Sequence, residues 1–275
     1  MSRCLVCGSG GSVPLVSVGS WLYRSCRDCG AAFLSDQDLA AQSERHMGRS
    51  YKLSRLRAEL QDDRHNKWLS ETLPRWAPPP GRLLEVGCGS GMFLAEAERL
   101  GYRVTGLDLG PENRLFAAEF LGVEVLDGDF LAAEFEHRFD WLVMHQLIEH
   151  VAAPGQYVDK ARQVLKPGGH LMITTPNLAF ARPITQVLKW LGQPPIGDAL
   201  GHPPNHCVLF EPKTIRWLLG SKGFSVISIQ TNPTGLKKQR PVRRLIDSTM
   251  LRIPKPLGPN MLIVARSGLN SPNGL

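Results

Sequence analysis

Long apolar runs are missing from this 275-residue chain: no stretch approaches the roughly 20 residues that a membrane-spanning helix requires, so a spanning segment is excluded. The start, Met-Ser-Arg-Cys, lacks the extended apolar core of a secretory signal. We therefore expect a cytoplasmic protein whose cysteines stay reduced rather than forming disulfides. A third absence is more pointed. Residues 83 to 91 read Leu-Leu-Glu-Val-Gly-Cys-Gly-Ser-Gly, an apolar strand entering a glycine turn, yet the last glycine of the dinucleotide fingerprint G-x-G-x-x-G is not there. That position, counted from Gly87, is Met92, and the third glycine, Gly91, comes one residue early. A pyrophosphate cofactor is disfavoured on that ground.

What is present describes a globular protein of one large domain plus an appendage, with 43% hydrophobic and 21% charged residues. Four of the six cysteines form two pairs near the start, Cys4-x-x-Cys7 and Cys26-x-x-Cys29, with 18 residues between the pairs. This is the spacing of a closed four-thiolate site for structural Zn²⁺. Free buried thiols account poorly for two such pairs in one short segment, and neither pair precedes the βαβ pattern of a redox motif. A ribbon of about 35 residues is too small for apolar burial to hold, so the metal is expected to supply the folding energy. Residues 36–80 follow as a helical connector covering the cofactor mouth, with Leu53, Leu56, Leu60, Trp68, Leu69 and Leu73 near helical spacing; Pro78-Pro79-Pro80-Gly81 ends it.

From Arg82 onward strands and helices alternate. Strands are expected at 82–86, 103–107, 123–126, 139–144, 170–175, 224–231 and 260–265. Helices are expected at 91–100, from Pro111 to Gly122, and at 155–165, 178–191 and 212–221. The pattern predicts an α/β fold with a doubly wound, mostly parallel seven-stranded sheet over 81–275, its ligand lying at the carboxyl ends of the strands.

Several motifs recur through that frame: Glu85 to Gly91, Asp108 at the end of strand two, Asp127-Gly128-Asp129-Phe130, Phe139-Asp140, Ile148-Glu149-His150-Val151, and Leu165-Lys166-Pro167-Gly168-Gly169. Together, over about residues 45–266, the chain resembles class I S-adenosylmethionine-dependent methyltransferases, a Rossmann-like family. The resemblance implies S-adenosylmethionine bound by Glu85, Gly87, Cys88, Gly89, Gly91, Asp108, Leu109, Asp129, Phe130, His145 and Gln146. Asp108 would accept hydrogen bonds from both ribose hydroxyls. Asp129, favoured over Asp127, would accept from the adenine amino group while Phe130 packs on the ring. Glu85 would fix the turn and the methionine ammonium region, and the 145–147 turn would give backbone contacts beside the sulfonium.

For the acceptor, Gln146-x-x-Glu149-His150 with the distant His206 is similar in layout to the metal site of small-RNA 2′-O-methyltransferases, and its first part resembles ubiquinone-pathway O-methyltransferases. Glutamine stands where those families carry a first glutamate, which removes a charge from a hard-ion site and disfavours a divalent ion such as Mg²⁺ there. Glu149-His150 is also an ordinary helix start. His206 lies in the proline-rich insertion 176–222 between strands five and six, where a histidine titrating near neutrality is suited to take a proton from an acceptor hydroxyl. His206, His150 and Glu149 are the expected catalytic residues, with His202 a further candidate.

The formal net charge is +7, and residues 232–258 hold seven basic groups against Asp247 alone. This basic insertion, with Val242, Leu245, Ile246 and Met250 on one helical face, suits a solvated amphipathic helix, a surface for anionic or carrier-linked substrates or a membrane, or a nucleic-acid contact. The ribbon, residues 1–35, has few basic residues, and Trp21 and Tyr23 are the only aromatics between its cysteine pairs. The order of segments is closest to bacterial small-molecule and sugar methyltransferases. We therefore expect methylation, chiefly at oxygen, of a small-molecule, glycosyl or lipid-linked acceptor. An RNA methyltransferase and a non-catalytic cofactor-binding scaffold are the alternatives, and the oligomeric state is left open.

Overall fold

Short apolar runs punctuated by glycine and proline become strands, and the structure, a computed structural model, describes residues 2–18, 20–39, 66, 69–190, 192, 206–232 and 258–268. Most of the expected connector (40–65), His202 and most of the basic insertion (233–257) lie outside these residues. The chain begins with three strands, β1 (Ser12–Val18), β2 (Trp21–Cys26) and β3 (Ala32–Leu34). The next strands are β4 (Arg82–Val86), β5 (Arg103–Leu107), β6 (Val125–Leu126), β7 (Phe139–His145) and β8 (Leu165–Pro176). A two-residue β9 (Val208–Leu209), β10 (Phe224–Asn232) and β11 (Asn260–Ser267) complete the set.

The large sheet runs β10-β11-β8-β7-β4-β5-β6. Its pairs from β8 to β6 are parallel, and β11 is antiparallel to both neighbours. The direction of strand order reverses between β4 and β7, the switch point at which open α/β sheets bind ligands. Helices α1 (Met92–Arg99), α2 (Pro111–Phe116), α3 (Pro154–Val164), α4 (Leu178–Trp190) and α5 (Pro212–Ser221) connect these strands.

Both faces of the sheet are covered, as a parallel sheet requires. Leu84, Val86, Leu142, Met144, Leu171 and Ile173 face α3 and α5 through Val158, Ala161, Ile215 and Leu218. Leu83, Trp141, Val143 and Met172 face α1 through Phe93, Leu94 and Ala97. The alternation follows from the two-residue period of a strand, and each fully buried large side chain contributes about 1.5–3 kcal/mol.

One local expectation needs refining and one needs correction. Strand β8 opens with Leu165 paired to Phe139, but the register then slips across Lys166–Gly169, where Gly168 takes φ 77°, and regular pairing begins, as expected, at His170 opposite Trp141. A side chain at Gly169 would come within 2.9 Å of the Lys166 carbonyl oxygen, so only glycine lets the two backbones approach there. The helix begun by Pro111 keeps α geometry only to Phe116; Ala117–Leu121 widens into a π turn, which Gly122 closes.

The amino-terminal ribbon is joined to the main fold. Its β3 pairs antiparallel with β9, giving a second sheet in the order β1-β2-β3-β9. Cys4, Cys26, Cys29, Ala31 and Phe33 belong to the same buried cluster as the large sheet, and Tyr23, Ala32 and Leu34 pack on Leu178, Ala181 and Leu209. The expectation that metal alone would hold the ribbon is therefore corrected: it shares its apolar burial with the large sheet, α4 and β9.

Candidate functional site

The carboxyl end of β4 turns through Gly87, Gly89 and Gly91, all at positive φ. At Gly87 a Cβ would lie 2.9 Å from Leu147 Cδ1, and at Gly91, the N-cap of α1, 2.9 Å from Ala117 Cβ. Side chains are thus excluded from the turn by both backbone angle and space. Asp108, just past β5, ties the turn down. Gly89 N donates to its Oδ2 at 2.8 Å, while Gly110 N and Asn113 Nδ2 donate to Oδ1 at 2.8 and 3.0 Å. Buried Asn113 was missed in the sequence, where it looks like any polar residue in a first helical turn. Arg114 Nη1 donates to the Asp108 carbonyl at 3.0 Å and pairs with exposed Asp127 at 2.9 Å, which holds the ends of β5 and β6 together.

Glu85 is buried, and its Oε2 has no hydrogen-bond partner among the described residues. Burial, with the nearby Asp108 charge, pushes its carboxyl well above the usual range. Burial likewise raises the Cys88 thiol, with Glu85 and Asp108 adding to the effect, so Cys88 is an inert lining group. Leu109 is exposed beside Asp108. Asp129 is exposed and accepts from Leu131 N at 3.2 Å and from the Tyr157 hydroxyl at 3.5 Å. The expected packing of Phe130 on a ligand ring is corrected: the ring is buried in the core, tilted against Tyr157 at 5.6 Å and Phe135 at 6.5 Å. The rigid turn, the orphaned Glu85 oxygen and the two carboxylates at the ends of β5 and β6 suit a cationic, hydroxyl-bearing nucleoside such as S-adenosylmethionine.

A second cluster forms where β7 ends at His145. Gln146 takes φ 50°, a left-handed conformation rare for a side chain of its size, and its N donates to the Thr174 carbonyl at 3.0 Å. Its Nε2 is engaged by Thr174 Oγ1 at 3.3 Å. The turn then places Leu147 against Gly87 and brings round Glu149 and His150. Glu149 is completely buried, neither carboxylate oxygen has a hydrogen-bond partner among the described residues, and burial lifts its pKa to about 8. His206, 56 residues further on, meets them. Ligand atoms of Glu149, His150 and His206 all lie within 4.8 Å of one another, and the two imidazole centroids are 4.7 Å apart. Cys207 N and Val208 N both donate to the Glu149 carbonyl, at 2.7 and 3.1 Å. The buried Cys207 thiol, pushed up to about 12, faces the His150 carbonyl at 3.1 Å.

The ribbon cysteines also converge. Cys4 and Cys29 sulfurs are 3.6 Å apart, Cys7 and Cys26 3.5 Å, and all four fall within 4.8 Å of one another. Tetrahedral Zn²⁺ with bonds of about 2.3 Å separates its sulfurs by roughly 3.8 Å, so the residues fit the ion. The Cys4–Cys29 sulfur contact lowers the Cys4 thiol and raises that of Cys29. Four thiolates this close need a cation to coexist. No helix among the described residues is long and apolar enough to cross a membrane.

Comparison with known proteins agrees with this geometry. A family profile described as a methyltransferase domain matches residues 54–229. The chain is 35% identical over 122 residues to a ubiquinone biosynthesis O-methyltransferase of Caulobacter vibrioides, covering 40% of this chain and 48% of that protein. The chain therefore spans about half the length of the curated relatives it matches. Among solved structures, one from a Haloferax volcanii complex of a methyltransferase with its activator aligns with TM-score 0.59 and 18% identity, over 79% of this chain and 95% of that one. An S-adenosylmethionine-dependent methyltransferase from Thermotoga maritima aligns with TM-score 0.53 and 18% identity, over 83% and 99%.

Proposed function

From the premise that this chain belongs to the methyltransferase-domain family, we propose that it transfers the methyl group of S-adenosylmethionine to an oxygen of a small-molecule, glycosyl or lipid-linked acceptor. The observation that carries the reading is the meeting of Glu149, His150 and His206 beside the glycine turn. S-adenosylmethionine, when bound, supplies an electrophilic methyl on a sulfonium. The glycine turn, Glu85, Asp108, Leu109 and Asp129 bind and orient it, with His145 and Gln146 flanking the reacting end. With both substrates held there, an acceptor oxygen would bond to the methyl carbon as the carbon–sulfur bond released its electron pair to sulfur. His206 takes the hydroxyl proton. Alignment supplies much of the remaining rate, because the donor is already activated.

The buried Glu149 carboxyl beside two imidazoles, its oxygens without a geometrically good hydrogen-bond partner among the described residues, favours a second reading, in which the three residues hold a divalent ion that orients acceptor oxygens. One carboxylate and two imidazoles suit Zn²⁺ or Fe²⁺ better than Mg²⁺, which prefers an all-oxygen octahedron. Incubating the protein with methyl-labelled cofactor and separated small-molecule and RNA fractions tests both. Label is expected in the small-molecule fraction and is expected to be lost in His206→Ala. Unchanged turnover in that variant removes His206 as base; transfer that survives chelation of every metal except the ribbon's removes the metal reading. Label appearing only in RNA, with strong salt dependence, would overturn the acceptor class.

A further inference from the structure

We propose that the four-cysteine ribbon is a positioning device for the acceptor side of the site, with Tyr23 as the residue through which it holds His206. This rests on the reading of the Glu149, His150 and His206 cluster given above. Strand β2 carries Tyr23 and Cys26, three residues apart. Cys26 belongs to the metal-binding set, whereas Tyr23 is completely buried and its hydroxyl donates to the His206 carbonyl at 2.6 Å. Burial keeps that phenol protonated well beyond its ordinary range, so it remains a donor.

The next residues are gripped from two sides. On the ribbon side, Leu34 N donates to the Cys207 carbonyl at 3.0 Å, and Ala32 and Phe33 pair with Leu209 and Val208. On the catalytic side, Cys207 N and Val208 N reach the Glu149 carbonyl. The segment from His206 to Leu209 thus bridges the two units, and the position of the histidine is shared between them. A separate tie runs from a ribbon cysteine itself: Thr214 Oγ1 donates to the Cys29 carbonyl at 2.6 Å. Arg182 adds a third, joining Ser25 Oγ at 3.3 Å and the Gly30 carbonyl at 3.1 Å to the Glu211 carboxylate at 2.8 Å. A ribbon that served only as an appended partner-binding module would not need its strand, its tyrosine and a cysteine carbonyl committed to the site wall. Loss of the metal would relax β2 and β3, and with them the His206 backbone, while the glycine turn on the far side of β7 stays formed.

The test uses the full zinc-loaded chain with histidine ¹⁵N labels, the His206 resonances being assigned by their loss in His206→Ala. Tyr23→Phe removes only the hydroxyl. It is expected to keep its zinc, to melt within about 4 °C of wild type, to bind S-adenosylhomocysteine within about twofold of wild type, and to shift or broaden the His206 imidazole signals selectively. Its Leu34 and Val208 amides are expected to exchange about tenfold faster, the effect of weakening one buried hydrogen-bonded contact. Zinc chelation is expected to produce the same local changes while the amides of α1 keep their protection. His206 signals and exchange at 206–209 that are identical in wild type, Tyr23→Phe and chelated protein would overturn the proposal. None of these readouts needs an acceptor, so a failure of methyl transfer bears on the proposed function alone.

Discussion

Replacing Glu149 by glutamine is expected to stabilise the protein while abolishing its use of that carboxyl. Glu149 has an ordinary carboxyl value of 4.5 in the unfolded chain and about 8 in the fold, where burial disfavours its charge. Between those two values the folded state binds more protons than the unfolded state, so this group makes stability fall as pH rises through the window and level off above about 8. At pH 7 the folded chain holds a proton that the unfolded chain has released. The gap from 4.5 to 7, at about 1.4 kcal/mol per pH step, costs on the order of 3 kcal/mol. A neutral glutamine of the same shape avoids that cost. Urea midpoints for wild type and Glu149→Gln, measured from pH 4.5 to 8.5 with ribbon zinc retained and no other divalent ion, should coincide at the acid end. They should diverge in favour of the variant by about 3 kcal/mol at pH 7. Added Zn²⁺ should narrow the gap by stabilising only the wild-type carboxylate. A difference that is flat with pH, or a variant less stable than wild type at pH 7, would refute the reasoning that Glu149 is a desolvated acid.

Further outcomes follow from the same geometry. Asp108→Asn removes the charge that accepts from Gly89, Gly110 and Asn113, and should weaken cofactor binding measured by calorimetry by roughly tenfold or more. Gly91→Ala places a Cβ 2.9 Å from that of Ala117 at φ 77°, so a loss of about 1–3 kcal/mol in urea unfolding is expected, with weaker cofactor binding. Purified protein should carry one zinc per chain by elemental analysis, and Cys26→Ser should release most of it; a chain that folds fully with no bound metal would refute the ribbon assignment.

The fold was legible because glycine and proline punctuate it. Strands β4 and β5 and helix α5 occupy the expected residues, each bounded by a Gly or Pro that cannot continue the preceding element. The site was legible in outline, since turns at the carboxyl ends of parallel strands collect ligand-binding residues whatever the ligand. Long-range pairing was not: β3 and β9 are separated by more than 170 residues, and two residues of β9 carry no periodic signal. Nor was the direction of Phe130, which sits in a loop where no strand or helix period says which side faces inward. The left-handed Gln146 escaped for a different reason: tertiary contacts with Thr174 hold an angle that the residue would not choose alone.

The antiparallel pairing of β10 with β11 sets Asn232 opposite Asn260, and Asn260 opposite Pro176, at the same end of the sheet as the turns of the candidate site. The chain leaves and returns at neighbouring points on a ladder already closed by hydrogen bonds. For a flexible connection, doubling the residues between those points costs only about 0.6 kcal/mol of closure entropy. A lineage can therefore lengthen, shorten or recharge residues 233–257 while the sheet, the glycine turn and the Glu149 cluster are inherited unchanged.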